Sequence, residues 1–67
     1  MNLHSCTVVL RGELTMTCHS VEQTLGIIDE HGASNIHRIL IDASDGQHVH
    51  SYHNLSIEES IESLMSL

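Results

Sequence analysis

The sequence predicts a small α+β fold: a two-layer sandwich in the order β-α-β-β-α, with helices packed on one face of a small sheet. Three observations predict it. Apolar and polar residues alternate from Cys6 to Cys18, a hairpin pattern runs from Ile36 to His53, and two capped amphipathic helices start at Ser20 and Ser56.

In the first stretch Cys6, Val8, Leu10, Leu14, Met16 and Cys18 share one parity, and Thr7, Val9, Arg11, Glu13, Thr15 and Thr17 the other. One side of a strand is therefore buried and the other wet. A two-residue turn at Arg11-Gly12 would force Arg11 to positive φ, so the expectation is one long strand bent or bulged at Gly12. Ser20-Val21-Glu22-Gln23 fits a capping box, and Gly32 marks the stop of that helix. Val21, Leu25 and Ile28 form its inner stripe with Thr24 beside them, and Ile27 lies at the stripe's edge.

From Ile36 the chain alternates again, pauses at Ala43-Ser44-Asp45-Gly46, and resumes alternation toward His53. That is a hairpin with an Asp/Gly turn. Asn54-Leu55-Ser56 then breaks the strand, and Ser56-Ile57-Glu58-Glu59 forms a second capping box. Ile57, Ile61, Leu64 and Met65 make the apolar stripe of the final helix, with Glu58, Glu59 and Glu62 on or beside the opposite face.

At 67 residues and without Phe, Trp or Pro, the chain is a single domain, 1–67, with a thin aliphatic core. Size scaling gives a folded surface of roughly 4,200 Å², about 40% of what the unfolded chain exposes. So small a core is commonly completed by a partner, and a homodimer is expected. Nine acids against two arginines give a net charge of −7 with histidines neutral. Such a surface repels phosphate backbones and excludes direct nucleic-acid binding of the usual basic kind. It favours a basic protein surface, such as that of a nucleic-acid enzyme, although acids also serve simply to keep a small domain in solution.

No basic segment followed by an apolar run opens the chain, and nothing approaches a membrane span, so a cytoplasmic protein with reduced thiols is expected. Cys6 and Cys18 read as small core hydrophobes rather than as a reactive or metal-bound pair.

Candidate chemistry falls in three places. His48, His50 and His53, with His37 as a possible fourth ligand, have a spacing that could surround zinc, and the wet side of a hairpin gives the same pattern. Asp42, Asp45 and Ser44 could be brought to a histidine for acid-base or nucleophilic work, but the Asp-Ala-Ser-Asp-Gly run reads better as a hydrogen-bonded turn, and no enzyme activity is expected. Asp42, Asp45, Glu58, Glu59 and Glu62 form an acidic set with no basic residue among them, suited to a basic groove.

The run Val8-Val9-Leu10-Arg11-Gly12-Glu13-Leu14, a helix, and then Arg38-Ile39-Leu40-Ile41-Asp42-Ala43-Ser44 resembles the first half of STAS domains, over residues 7–46. The resemblance implies a truncated partner-switching regulator. The family's Asp-Ser-Ser-Gly-like phosphorylation loop is absent after Ser44, so no phosphoacceptor is implied. Glu59-Ser60-Ile61 resembles the Glu-Ser-Ile motif of phage inhibitors of uracil-DNA glycosylase, which carry it on a strand, whereas here it falls on the final helix. Together these readings lead to a small acidic, non-enzymatic interaction module. It is an inhibitor or regulator, phage-type among the options, with a histidine metal site as the alternative.

Overall fold

The computed structural model describes residues 1–67. Its elements are β1 (Asn2–Leu10), β2 (Thr15–Cys18), α1 (Val21–His31), β3 (Ile36–Ser44), β4 (Val49–Tyr52) and α2 (Ile57–Met65). A single 3-10 turn at Ala33–Asn35 links α1 to β3. The four strands form one antiparallel sheet in the order β2-β1-β3-β4, which puts the two nine-residue strands in the centre and the two four-residue strands at the edges. Short edges limit the unpaired backbone available to a foreign strand.

The α+β class expected from the sequence is the one observed, with a correction at Gly12. Cys6–Cys18 does not form one bent strand; it folds into the hairpin β1–β2, with Cys6 opposite Cys18 and Val9 opposite Thr15. The connection is the three-residue loop Arg11-Gly12-Glu13, closed by a 2.7 Å hydrogen bond from the Leu10 amide to the Leu14 carbonyl. Positive φ falls on Gly12 (88°) and Glu13 (66°), so Arg11 escapes the conformation that excludes a two-residue turn.

Two register shifts organise the central pair. Between Leu3 and Ser5 the residue His4 is extra on β1, and between Val9 and Leu10 the residue His37 is extra on β3. Each is a β-bulge that resets the alternation. Leu3 thereby joins the side of Cys6, Val8 and Leu10, and Ile36 joins the side of Ile39, Ile41 and Ala43. Both helices cover this side. Ile28 of α1 and Leu64 of α2 complete one apolar cluster with Cys6, Val8, Leu10, Ile36, Ile39 and Ile41. The exposed surface of 4384 Å² is close to what a chain of this size should retain.

Both helix starts are capped as their sequences require. In α2 the Ser56 hydroxyl accepts from the Glu59 amide (3.1 Å) while the Glu59 carboxylate accepts from the Ser56 amide (3.0 Å). In α1 the Ser20 hydroxyl accepts from the Gln23 amide, but the Gln23 side chain reaches one residue further back, to the His19 amide. The stripe of α2 is rotated from the expected one. Ser60 and Leu64 are fully buried, Ile57 and Ile61 are half-buried, and Met65 is 71% exposed.

Ser60 Oγ is buried and makes no hydrogen bond. A desolvated hydroxyl without a partner costs on the order of 1–3 kcal/mol, so Ser60→Ala should raise stability by about 1 kcal/mol, read as a higher urea midpoint at unchanged slope. A lower midpoint would show that the hydroxyl has a partner. In the hairpin loop, Glu13→Gly should relieve a left-handed residue and raise the thermal midpoint, by about 1 kcal/mol of stability; a fall in the midpoint would contradict the strain.

Candidate functional site

The β3–β4 hairpin and α2 carry every residue singled out by its chemistry. The turn sits later than the sequence suggests: Ala43 and Ser44 remain in β3, and Asp45–His48 make the loop. Asp45 Oδ1 accepts from the amides of Gln47 (2.9 Å) and His48 (2.7 Å), and the Asp45 amide donates to the His48 carbonyl (3.1 Å). The carboxylate thus replaces backbone partners that the loop would otherwise lack.

Strand pairing assigns the faces. Tyr52 lies opposite Ile41 and His50 opposite Ala43, on the helix side; Ser51 lies opposite Asp42, on the open side. His50 Nε2 is 2.9 Å from Asp45 Oδ2, and His53 Nε2 is 3.1 Å from Asp42 Oδ1, which also accepts from Ser51 Oγ at 2.6 Å. Every residue of β4 is exposed, so polar pairs hold the strand to its neighbour where apolar burial does not.

The geometry spreads the histidines of the metal expectation apart. The His48, His50 and His53 imidazoles do not converge: His50 and His53 are each taken up by a different aspartate, and His37 is a bulge residue of β3. No group of three His, Cys, Asp or Glu side chains is placed to hold an ion such as zinc. Nor do Asp42 and a histidine share a cleft, since Asp42 lines none of the surface depressions.

The acidic set is likewise divided. Asp42 is on the open face, Asp45 is in the loop, and Glu58, Glu59 and Glu62 lie on α2 in the other layer. The three glutamates have no basic neighbour on their helix, and neither arginine forms an ion pair with any carboxylate. Arg11 Nε instead donates to the Ser34 carbonyl at 2.7 Å. Beside α2 lies an open cleft of about 420 Å³, floored by Ile41, Ala43 and Tyr52 and walled by Glu59, Glu62 and Leu67. Tyr52 and Leu67 were not singled out by sequence. The pairing of Tyr52 with Ile41 brings the ring to the helix side, and that pairing depends on the register.

Cys6 and Cys18 face each other across β1 and β2, free and fully buried. Burial pushes the Cys6 thiol up to about 11, far from the thiolate that nucleophilic or redox chemistry needs. The two runs that resemble STAS domains fall on the end of β1 with the loop after it and on β3, with α1 between them in the chain. In the Glu59-Ser60-Ile61 triplet the serine is buried and the glutamate caps its helix, so the three are not presented together. No helix is long and apolar enough to cross a membrane. Compared with family models, characterised proteins and solved structures, the chain matches none.

The carboxylates in these contacts are held below their ordinary values. His50 and then the His48 and Gln47 amides act on Asp45, the Ser51 hydroxyl and then His53 act on Asp42 against slight burial, and the Ser56 amide acts on Glu59. A carboxylate depressed on folding contributes stability that is complete above its unfolded value and is lost as pH falls through the folded one. The contribution of these three carboxylates should therefore be complete above about pH 5 and decline below the unfolded values near 4. Asp45→Asn should make that acid decline shallower in urea titrations at stepped pH. An acid limb identical to that of the wild type would show that the clasp contributes nothing.

Proposed function

We propose that this chain is a small non-enzymatic interaction module, an inhibitor or regulator of the phage type, that docks its acidic helical layer on a basic protein surface. The observation that carries it is the placement of charge. Glu22, Asp29 and Glu30 on α1 and Glu58, Glu59 and Glu62 on α2 put six of the nine acids on the helices. None of them is neutralised by an arginine. Charge held unpaired on a rigid, capped scaffold attracts a cationic partner from a distance and costs nothing in broken internal pairs when it docks.

The geometry narrows the expected five-acid face to α2 and its surroundings. The Glu58 and Glu62 carboxylates make no hydrogen bond or ion pair within the chain, whereas Glu59 is partly used by its cap. The cleft beside α2 adds an apolar component, a recess into which a basic partner can set one uncharged side chain. Basic nucleic-acid enzymes offer such surfaces, since a groove that binds phosphates also accepts carboxylates at similar spacing.

The test is affinity capture from host lysate, followed by binding isotherms of the captured protein against wild type and the double variant Glu58→Lys/Glu62→Lys, with Glu59→Gln as a cap-preserving control. Reversal of two charges should weaken binding by roughly tenfold or more at low salt, and the gap should narrow as salt rises. Equal affinity of the reversed variant at low salt would sink the reading.

A further inference from the structure

Two helices cover one side of the sheet, and the other side is bare. Antiparallel sheets tolerate a wet face, so bareness alone demands nothing. What distinguishes this face is the order of residues along β3, the central strand. Arg38, Leu40 and Asp42 alternate onto it, with Val9 beside Arg38, Thr7 beside Leu40 and Ser5 beside Asp42 on β1. Leu40, Val9 and Thr7 are half-buried even without a cover. Arg38 is exposed, and its guanidinium makes no hydrogen bond or ion pair within the chain.

Charge also separates this face from the rest of the molecule. Asp42 is its one acid, balanced by Arg38, while six of the nine acids lie on the helices in the opposite layer. A face of zero formal charge on a protein of net charge −7 is not the face that meets a basic partner. It is the one on which like-charged copies can approach.

We infer that the open face of the sheet is a homodimer interface, in which a second copy packs sheet to sheet about a two-fold axis passing through Leu40 and perpendicular to β3. That operator sets β3 antiparallel to its counterpart. Leu40 then meets the partner's Leu40, Arg38 meets the partner's Asp42, and Asp42 meets the partner's Arg38. An isologous contact of this kind repeats every favourable pair twice. Arg38 and Asp42 each lie two residues from the axis, roughly 6–7 Å along the strand. The rotation of about 30° usual for stacked sheets displaces facing residues at that distance by roughly 3–4 Å, which an extended arginine covers. The other two-fold operator, parallel to the strands, would set Arg38 on the partner's Arg38 and is disfavoured.

The size of the face sets the strength. Four strands at about 4.8 Å spacing and five to six residues of usable length give a patch of roughly 19 by 18 Å. Two such patches come to roughly 700 Å² in projection, at the small end of protein interfaces. The dimer should therefore be a weak one, with its two acidic helical layers on opposite outer sides. The inference stands apart from the proposed partner, because it uses neither α1 nor α2.

Sedimentation equilibrium of the full chain from low micromolar to millimolar concentration tests it. Wild type should pass from monomer to dimer across that range. Arg38→Glu sets carboxylate against carboxylate twice and should raise the dissociation constant at least tenfold, with an unchanged circular dichroism spectrum. Asp42→Arg alone should fail to dimerise for the converse reason. An equimolar mixture of the two variants should associate, because each mixed contact then pairs opposite charges. Since Asp42 also anchors β4, Leu40→Glu, which places two carboxylates on the axis, is the variant to use if Asp42→Arg does not fold. Glu58→Lys/Glu62→Lys should leave dimerisation as in wild type, so failure here and failure of the acidic-face reading are distinguishable. A monomer throughout, or a dimer that Arg38→Glu and Leu40→Glu leave intact, overturns the inference.

Discussion

The fold depends on keeping one side of two adjacent strands apolar over their whole length. With no Phe or Trp, its buried apolar surface is built from aliphatic side chains and two thiols, none of them large, so a break in the row would leave a gap that no neighbour could fill. The bulges at His4 and His37 secure that continuity. Without them Leu3 and Ile36 would point to the bare face, because a shift of one residue turns a strand's side chains over. The two helices can then cover the sheet as a single layer, Ile28 and Leu64 meeting the same floor.

What was legible in the sequence was what is local. Both helix starts follow from a serine and a glutamine or glutamate three residues on, since a cap is settled within one turn of chain. The β3–β4 hairpin was equally plain from its Asp-Gly turn. The β1–β2 hairpin was not, because a two-residue loop would put positive φ on Arg11, and one further residue moves it to Glu13. The bulges were invisible for a different reason: an extra residue exists only relative to a partner strand. The candidate site shows the same division. Three glutamates on α2 could be read from helical spacing, but Asp42 and Asp45, three residues apart, fall on the open face and in the loop. The histidines that engage them are eleven and five residues away. Imidazoles that look like a cluster in sequence are separated by the pleat.

The two layers of the molecule carry different electrostatics. The helical layer holds most of the negative charge unpaired, and the bare sheet face is balanced. A domain too small to build much interior can divide its outside in this way, giving one side to long-range attraction and the other to short-range fit. The buried cysteines and Asp45 belong to the scaffold in this arrangement, the free glutamates and Arg38 are its available groups, and Asp42 serves both, anchoring β4 while facing out of the sheet.

Strand β4 adds a consequence for motion. It is four residues long, fully exposed, and fastened by two aspartate–histidine pairs and one serine hydroxyl. Little apolar area is lost when it detaches, so its release is a local opening of low free energy, separate from global unfolding. Amide protons of β4 should exchange with solvent well before those that join β1 to β3, although all belong to one sheet. The molecule therefore has a durable centre and a loose hem, and the hem is stitched with groups whose charge depends on pH.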